Sequence, residues 1–370
     1  MPASAQHHSV SSRLRGVVAQ AIDAAGGWLP FDRYMSLALY APGLGYYMRD
    51  DHQLGAWPAG SDFVTAPELS PLFAQALAPS LRQALQASDS RTVIEFGAGS
   101  GALAEGLLDA LGDDAGAYRI VELSGALRAR QMQRLARFGT RVQWLERWPD
   151  ASAPALDAVL LGNEVLDAMP VQLLAFDGAQ WLERGVALAA DGALTWSDRP
   201  TVLRPPHDAP FVPGTVTEIH AQAEAFIASV AHALRRGAAF FIDYGFPAVE
   251  YYHPQRSGGT LMCHRAHRAD SDPLRDVGDK DITAHVNFTG IALAGQDAGL
   301  DVLGYTSQAR FLINSGIADA MARADPRTRA AAQKLVAEHE MGELFKVIGF
   351  AKGCRFESLG FAAGDRSHRL

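Results

Sequence analysis

The sequence predicts an α/β fold built on a Rossmann-like, doubly wound and mostly parallel sheet. Two observations carry this. Strand and helix patterns alternate between residues 92 and 161, and an apolar strand at 92–96 runs directly into a glycine loop and then a helix at 102–111. Further strands are expected at 118–123, 141–145 and 155–161, with a helix at 124–136 between the first two. Between 171 and 216 the texture changes to short period-two runs at 172–176, 181–188 and 194–196, separated by Asp177-Gly178 and Asp191-Gly192. Asp-Gly between such runs signals hairpins, so a β-rich insertion is expected there. A helix at 220–235 and a buried strand at 238–244 follow, then a polar, irregular stretch at 250–281. A helix at 288–298, a strand at 300–306, a helical stretch to 338 and a last apolar strand at 344–351 complete the pattern.

Upstream of the sheet the chain reads differently. A helix at 11–25 is stopped by Gly26-Gly27, a second helix spans 70–85, and the first eight or so residues are expected to be disordered. The predicted organisation is an N-terminal helical cap with cofactor-covering loops at 1–88 and a catalytic domain at 89–370, with insertions at about 171–216 and 250–286.

Composition sets limits on function. With 370 residues, 48% of them hydrophobic, the chain can bury a sizeable core, and a net charge of −8 argues against nucleic acid as the principal partner. No run approaches the roughly 20 apolar residues of a membrane span, and the start lacks a secretory apolar segment, so a cytoplasmic location without membrane insertion is expected. The two cysteines, Cys263 and Cys354, read as buried thiols. Cys263 with His264 and His267 lacks a second ligand group, so no metal is expected.

The densest chemical signal is Val93-Ile-Glu-Phe-Gly-Ala-Gly-Ser-Gly-Ala102. Glycines let the backbone turn sharply and approach a ligand, and the helix that follows presents unpaired N–H groups. Gly97, Gly99 and Ala102 satisfy the relaxed dinucleotide fingerprint, which leaves a nicotinamide dehydrogenase open. Glu95 before the loop and a third glycine at Gly101 favour S-adenosyl-L-methionine instead, because a carboxylate suits a sulfonium and an ammonium and repels a pyrophosphate. Glu122, at the end of the next strand, is the expected acceptor for the ribose hydroxyls; the bland alternative is an exposed strand-end glutamate.

Several unusual segments stand in a definite order: Tyr40-Ala-Pro-Gly-Leu-Gly-Tyr-Tyr47, Gly60-Ser-Asp-Phe-Val-Thr-Ala-Pro-Glu-Leu-Ser70, the loop 95–101, Gly162-Asn-Glu-Val-Leu-Asp-Ala-Met-Pro170, Asp243-Tyr-Gly245 and Asp281-Ile-Thr-Ala-His-Val-Asn-Phe288. Together they resemble the MidA-type methyltransferases, over residues 31–353 or so. The last segment departs from the family's usual aspartate at Asn287. The resemblance implies a seven-stranded methyltransferase sheet whose final strand inserts antiparallel. It also implies an activity, since the family's mitochondrial member methylates arginine on a subunit of respiratory complex I.

On that basis a protein client, such as a complex I subunit, is expected. Asn163-Glu164 and Asp167 follow an apolar strand and should lie at the carboxyl edge of the sheet. Glu164 and Asp167 are the candidate catalytic pair, since carboxylates bind a guanidinium bidentately and can take its proton, while Asn163 is assigned to the cofactor. The alternative makes Asn163-Glu164 a helix cap and Asp167 a surface residue. Thr65 and Pro67 are assigned to a loop that folds over the cofactor, and Glu68, Asp243 and His285 to the substrate. Each also has a structural reading: loop packing, a turn or cap for Asp243, and a hydrogen-bonded core histidine. Two other functions compete, methylation of a small-molecule nitrogen or oxygen and a non-catalytic assembly factor that retains cofactor binding.

Overall fold

The computed structural model describes residues 3–49, 65–149, 152–265 and 268–370, with side chains from residue 10. Residues 60–64 of the second signature segment and His267 lie outside the described residues. The chain divides into two compact units: 1–63, 167–223 and 248–287 in the first, and 64–166, 224–247 and 288–370 in the second.

The second unit holds the methyltransferase sheet. Its strands are β1 (Thr92–Phe96), β2 (Ala117–Val121), β3 (Val142–Leu145), β4 (Leu156–Asn163), β5 (Leu234–Phe246), β6 (Asp301–Ser307) and β7 (Phe345–Lys352). They lie in the order β3-β2-β1-β4-β5-β7-β6. The first five are mutually parallel, and β7 enters between β5 and β6 antiparallel to both, as the resemblance implies. Strand order reverses between β1 and β4, which pair as Val93↔Val159 and Phe96↔Gly162. At such a switch point helices leave on opposite faces and open a crevice at the carboxyl ends of the strands. Residues 158–161 of β4 are fully buried, the signature of a parallel strand covered on both faces and the reason this segment reads as an unbroken apolar run.

Two helices tighten the sheet on one side. Leu72–Ser88 and Ala102–Leu111 approach so closely that a Cβ on Gly106 would sit 2.6 Å from that of Ala74. Helix 72–88 therefore belongs to the sheet's own unit, whereas the sequence pattern groups it with the cap. The single helical stretch expected up to 338 is three helices, Gln308–Asn314, Ile317–Arg323 and Pro326–Val336. Gly316 at φ 91° and the Asp325 cap before Pro326 make the breaks.

The first unit is assembled from three stretches of chain. Its helices Ala3–Ala24 and Phe31–Tyr40 accompany an antiparallel sheet of Leu29–Pro30, Trp181–Leu188, Gln172–Phe176, Val216–Ile219 and Leu194–Pro200. The expected β-rich insertion is this sheet. The first helix starts at Ala3, so helix replaces the disorder expected there; Ala3, Ala5 and Gln6 are good helix formers. The stretch read as irregular contains a small sheet of Arg268–Asp270, Met262–Arg265 and Asp281–Thr283. These strands are too short for periodicity to register. Phe31, Tyr34, Leu39, Leu173, Val186, Cys263, Ile282 and Ala284 share the unit's core. Both cysteines are free thiols; Cys263 is buried, but Cys354 is only half-buried, its Sγ 3.3 Å from Gly237 O.

Candidate active site

The loop after β1 has the conformation its glycines allow. Gly97, Gly99 and Gly101 take φ of 61°, 54° and 83°, in the left-handed region closed to most residues. Gly97 N–H donates to Val121 O at 3.2 Å and Gly101 N–H to Ala98 O at 2.8 Å, which closes the turn into helix Ala102–Leu111. Among the described residues a Cβ on Gly99 would meet nothing within 4 Å, so the space beside Gly99 is open to them.

Glu122 is 6% exposed at the end of β2, not an exposed strand-end group. Its Oε1 accepts from Ser124 N at 2.9 Å and its Oε2 from Gln131 Nε2 at 3.0 Å. Gln131 also donates to Gly99 O at 2.9 Å, while its Oε1 accepts from Trp144 Nε1 at 2.9 Å. One glutamine thus couples the glycine loop, the strand-end carboxylate and β3. The sequence reading missed it, since a glutamine inside a polar helix carries no signal. Burial raises the pKa of Glu122, and the hydrogen bonds from Ser124 and Gln131 oppose the rise.

Glu95 is buried within β1, and its Oε2 accepts from Tyr118 Oη at 2.6 Å. Burial raises its pKa to about 7, against the Tyr118 hydrogen bond that lowers it, and Glu122 adds a smaller rise. This fixes a pH dependence. Below 4.5, the ordinary value, folded and unfolded chains both hold the proton. As pH rises toward 7 the unfolded chain releases it first, so stability falls across that window and levels off above it. Glu95→Gln removes the buried charge. The cofactor-free variant is expected to exceed wild type by about 2–3 kcal/mol at pH 8, with the gap closing below pH 5 or so. Equal melting temperatures at pH 8 would contradict the assignment.

Thr65 and Pro67 lie at the start of the short helix Ala66–Leu69. Glu68 faces the glycine loop: its Oε1 accepts the Ser100 hydroxyl and pairs with Arg134 Nη1 at 3.4 Å. Arg134 also donates to Ser100 Oγ at 2.9 Å and to Glu105 at 2.8 Å. Glu68, read from sequence as a substrate residue, thus makes contacts with Ser100 of the glycine loop and with Arg134.

After β4 the chain turns without forming a helix, so Asn163-Glu164 has no helix to cap. Glu164 takes φ 54°, one of three non-glycine residues with positive φ among those described. Such a conformation costs about 1–2 kcal/mol and persists where neighbours enforce it. Here Glu164 N–H donates to Ile242 O at 2.9 Å, and Asn163 Nδ2 donates to Glu164 Oε1 at 3.0 Å. Asp243, 1% exposed in β5, accepts from Val165 N at 3.1 Å and Leu166 N at 2.9 Å through Oδ2, and from Tyr244 N at 3.0 Å through Oδ1. Asp243, read from sequence as a substrate group or a turn residue, holds the turn that carries Glu164. The turn abuts the glycine loop, since a Cβ on Gly97 would lie 3.4 Å from Val165 Cγ2. Asn163 Oδ1 is buried without a hydrogen-bond partner among the described residues. An acceptor beside an open loop suits a ligand that brings a donor.

In the first unit, Asp167 is 6% exposed, not a surface residue. Its carbonyl accepts from Ala284 N at 3.0 Å. His285 is half-buried, and its N–H donates to Thr260 Oγ1 at 3.1 Å. It borders a buried network absent from the sequence reading. Glu218 Oε2 accepts from Tyr251 Oη at 2.8 Å, Glu218 Oε1 accepts from Thr260 N at 2.7 Å and Leu261 N at 3.0 Å, and His220 Nε2 lies 3.0 Å from Tyr251 Oη. Burial, with His285 nearby, pushes the His220 pKa down to about 3. Among the described residues no group of three or more His, Cys, Asp or Glu is placed to hold a metal ion, and no helix is long and apolar enough to cross a membrane.

A topology with β7 reversed, a left-handed glycine turn at the switch point and a buried carboxylate at the end of β2 narrows the fold to one class. A family model described as "Putative S-adenosyl-L-methionine-dependent methyltransferase" matches residues 72–306. The chain belongs to this family. It is an S-adenosylmethionine-dependent methyltransferase, and S-adenosyl-L-methionine is its cofactor. The crystal structure of a COG1565 superfamily member from Burkholderia thailandensis bound to S-adenosyl-homocysteine is 50% identical, covers 99% of this chain and 98% of its own, and superposes with a TM-score of 0.92. Among named relatives, the zebrafish (Danio rerio) protein arginine methyltransferase NDUFAF7, mitochondrial, is 27% identical over 90% of this chain and 85% of its own length. The Caenorhabditis elegans homologue of the same name is 24% identical over 77% of this chain and 72% of its own.

Proposed function

We propose that this methyltransferase acts on arginine guanidinium groups of a protein client. The observation that carries the reading is the Glu164 carboxylate, held in a strained backbone conformation on a turn that touches the glycine loop. Strain retained beside a cofactor loop positions a group for chemistry. The names of the zebrafish and nematode relatives point to the same substrate.

In this reading Gly97, Gly99 and Gly101 let the cofactor approach the backbone, Glu122 accepts from its ribose and Asn163 Oδ1 from its ammonium, with Glu95, Thr65 and Pro67 as the further cofactor-binding residues. When bound, S-adenosyl-L-methionine supplies an electrophilic methyl. Glu164 would orient the guanidinium and accept the proton that its nitrogen loses on methylation, and Asp167 is the second candidate carboxylate for the chemistry. A respiratory complex I subunit is the first client to test.

Peptide mass spectrometry of client proteins from cells with and without the gene tests this. Arginine residues carrying one or more methyl groups only when the gene is present are the expected result. Methyl transfer confined to small molecules or to other side chains would replace the reading.

A further inference from the structure

Within the second unit, one helix packs behind the glycine loop. It spans Gly125–Arg134, begins just after Glu122 and is capped by Ser124, whose Oγ accepts from Leu127 N at 3.4 Å. A Cβ on Gly101 would lie 3.5 Å from Gln131 Cγ and 3.6 Å from Arg134 Cδ, so these side chains face the loop. Gln131 is 0% exposed. A buried amide is costly unless its oxygen and both N–H groups find partners.

All three groups of the Gln131 amide are matched, and the partners fix which way it faces. Trp144 Nε1 can only donate, so the Gln131 oxygen faces it, at 2.9 Å. Gly99 O can only accept, so the nitrogen faces the loop, also at 2.9 Å. A flipped amide would set donor against donor and acceptor against acceptor. With its oxygen and one N–H anchored, the amide directs its second N–H to Glu122 Oε2 at 3.0 Å. Ser124 N holds the other oxygen, Glu122 Oε1, at 2.9 Å. The carboxylate is therefore gripped at both oxygens, and its plane is set in advance of any ligand. Acceptor capacity remains, since an ionised carboxylate takes about four hydrogen bonds.

We infer that Gln131 is a positioning residue for the cofactor, which orients Glu122 toward the two ribose hydroxyls of S-adenosyl-L-methionine and thereby sets cofactor affinity. It acts through that carboxylate and not on the transferred methyl. The inference rests on the ribose role read for Glu122 above. A ribose presents two neighbouring O–H donors, and a carboxylate meets both, one on each oxygen, only when its plane lies along them. A freely turning side chain would have to be frozen on binding. Gln131 removes that entropy cost beforehand.

Gln131→Met keeps the length of the side chain and removes its hydrogen bonds. Calorimetry with S-adenosyl-homocysteine on the full chain, for wild type, Gln131→Met, Glu122→Gln and the double variant, separates action through Glu122 from a general loss of structure. Gln131→Met is expected to weaken binding about tenfold in the wild-type background and less than about threefold in the Glu122→Gln background. The analogue lacking the 2′-hydroxyl gives a readout that stability alone does not move. Wild type should prefer S-adenosyl-homocysteine over it, and Gln131→Met should lose most of that preference. Trp144→Phe removes the N–H that orients the amide while leaving Gln131 in place, and serves where Gln131→Met does not fold. It should weaken binding about threefold, again only with Glu122 intact. Equal losses in both backgrounds, or unchanged affinity in these folded variants, overturn the positioning role and leave Glu122 as the ribose acceptor. Unchanged affinity in Glu122→Gln overturns the ribose reading and the inference with it.

Discussion

Glu164→Gln is expected to lower single-turnover methyl transfer by roughly 30- to 1000-fold while cofactor affinity changes by less than about threefold. The substitution removes charge and preserves shape. Gln adopts the φ of 54° no worse than Glu, and the backbone bond from residue 164 to Ile242 O is untouched, so the turn survives. What is lost is a charge-assisted anchor and a proton acceptor, worth about 2–4 kcal/mol in a dry site. Asp167→Asn is expected to behave alike. A structural role predicts the opposite pattern, with a lower melting temperature and normal turnover per folded molecule. The measurement is transfer of labelled methyl to an arginine-bearing client fragment, with thermal melting in parallel. Normal transfer by both folded variants would remove these carboxylates from the chemistry.

Gly99→Val should weaken binding of S-adenosyl-L-methionine and S-adenosyl-homocysteine at least 100-fold, about 3 kcal/mol. Two effects act together. A β-branched residue is strained at the φ of 54° that Gly99 holds, and its side chain would fill space where a Cβ now meets nothing within 4 Å among the described residues. The strain costs about 1–2 kcal/mol of stability, leaving the fold in place. Calorimetry with both ligands checks this, and NADH is the control that should bind neither protein. Unchanged affinity for S-adenosyl-L-methionine in a folded variant would put the cofactor elsewhere.

The sheet was legible in the sequence because parallel strands buried on both faces leave continuous apolar runs, as at 158–161, and because a left-handed turn needs glycines. The order of the signature segments pointed to the antiparallel last strand. Glu122 was legible too, since its position at a strand end follows from chain distance. The hydrogen-bond partners of Asp243 and Glu68 were not. Both are acids in loop-like or strand-end settings, and sequence cannot name the backbone N–H groups or the serine that such a carboxylate satisfies. The short strands at 262–265 and 281–283 were invisible because three or four residues cannot display a period.

By itself, then, the sequence determined the fold class, the glycine loop and the place of the Asn163-Glu164 turn, all properties encoded within a few neighbouring residues. Only the tertiary structure decided which polar groups share a site. Gln131 bridges Gly99 and Glu122, Asp243 binds a turn 77 residues away, and Tyr47 meets Asp281 across 234 residues. Such pairings are set by how separate stretches of chain pack, and no local pattern of residues records them.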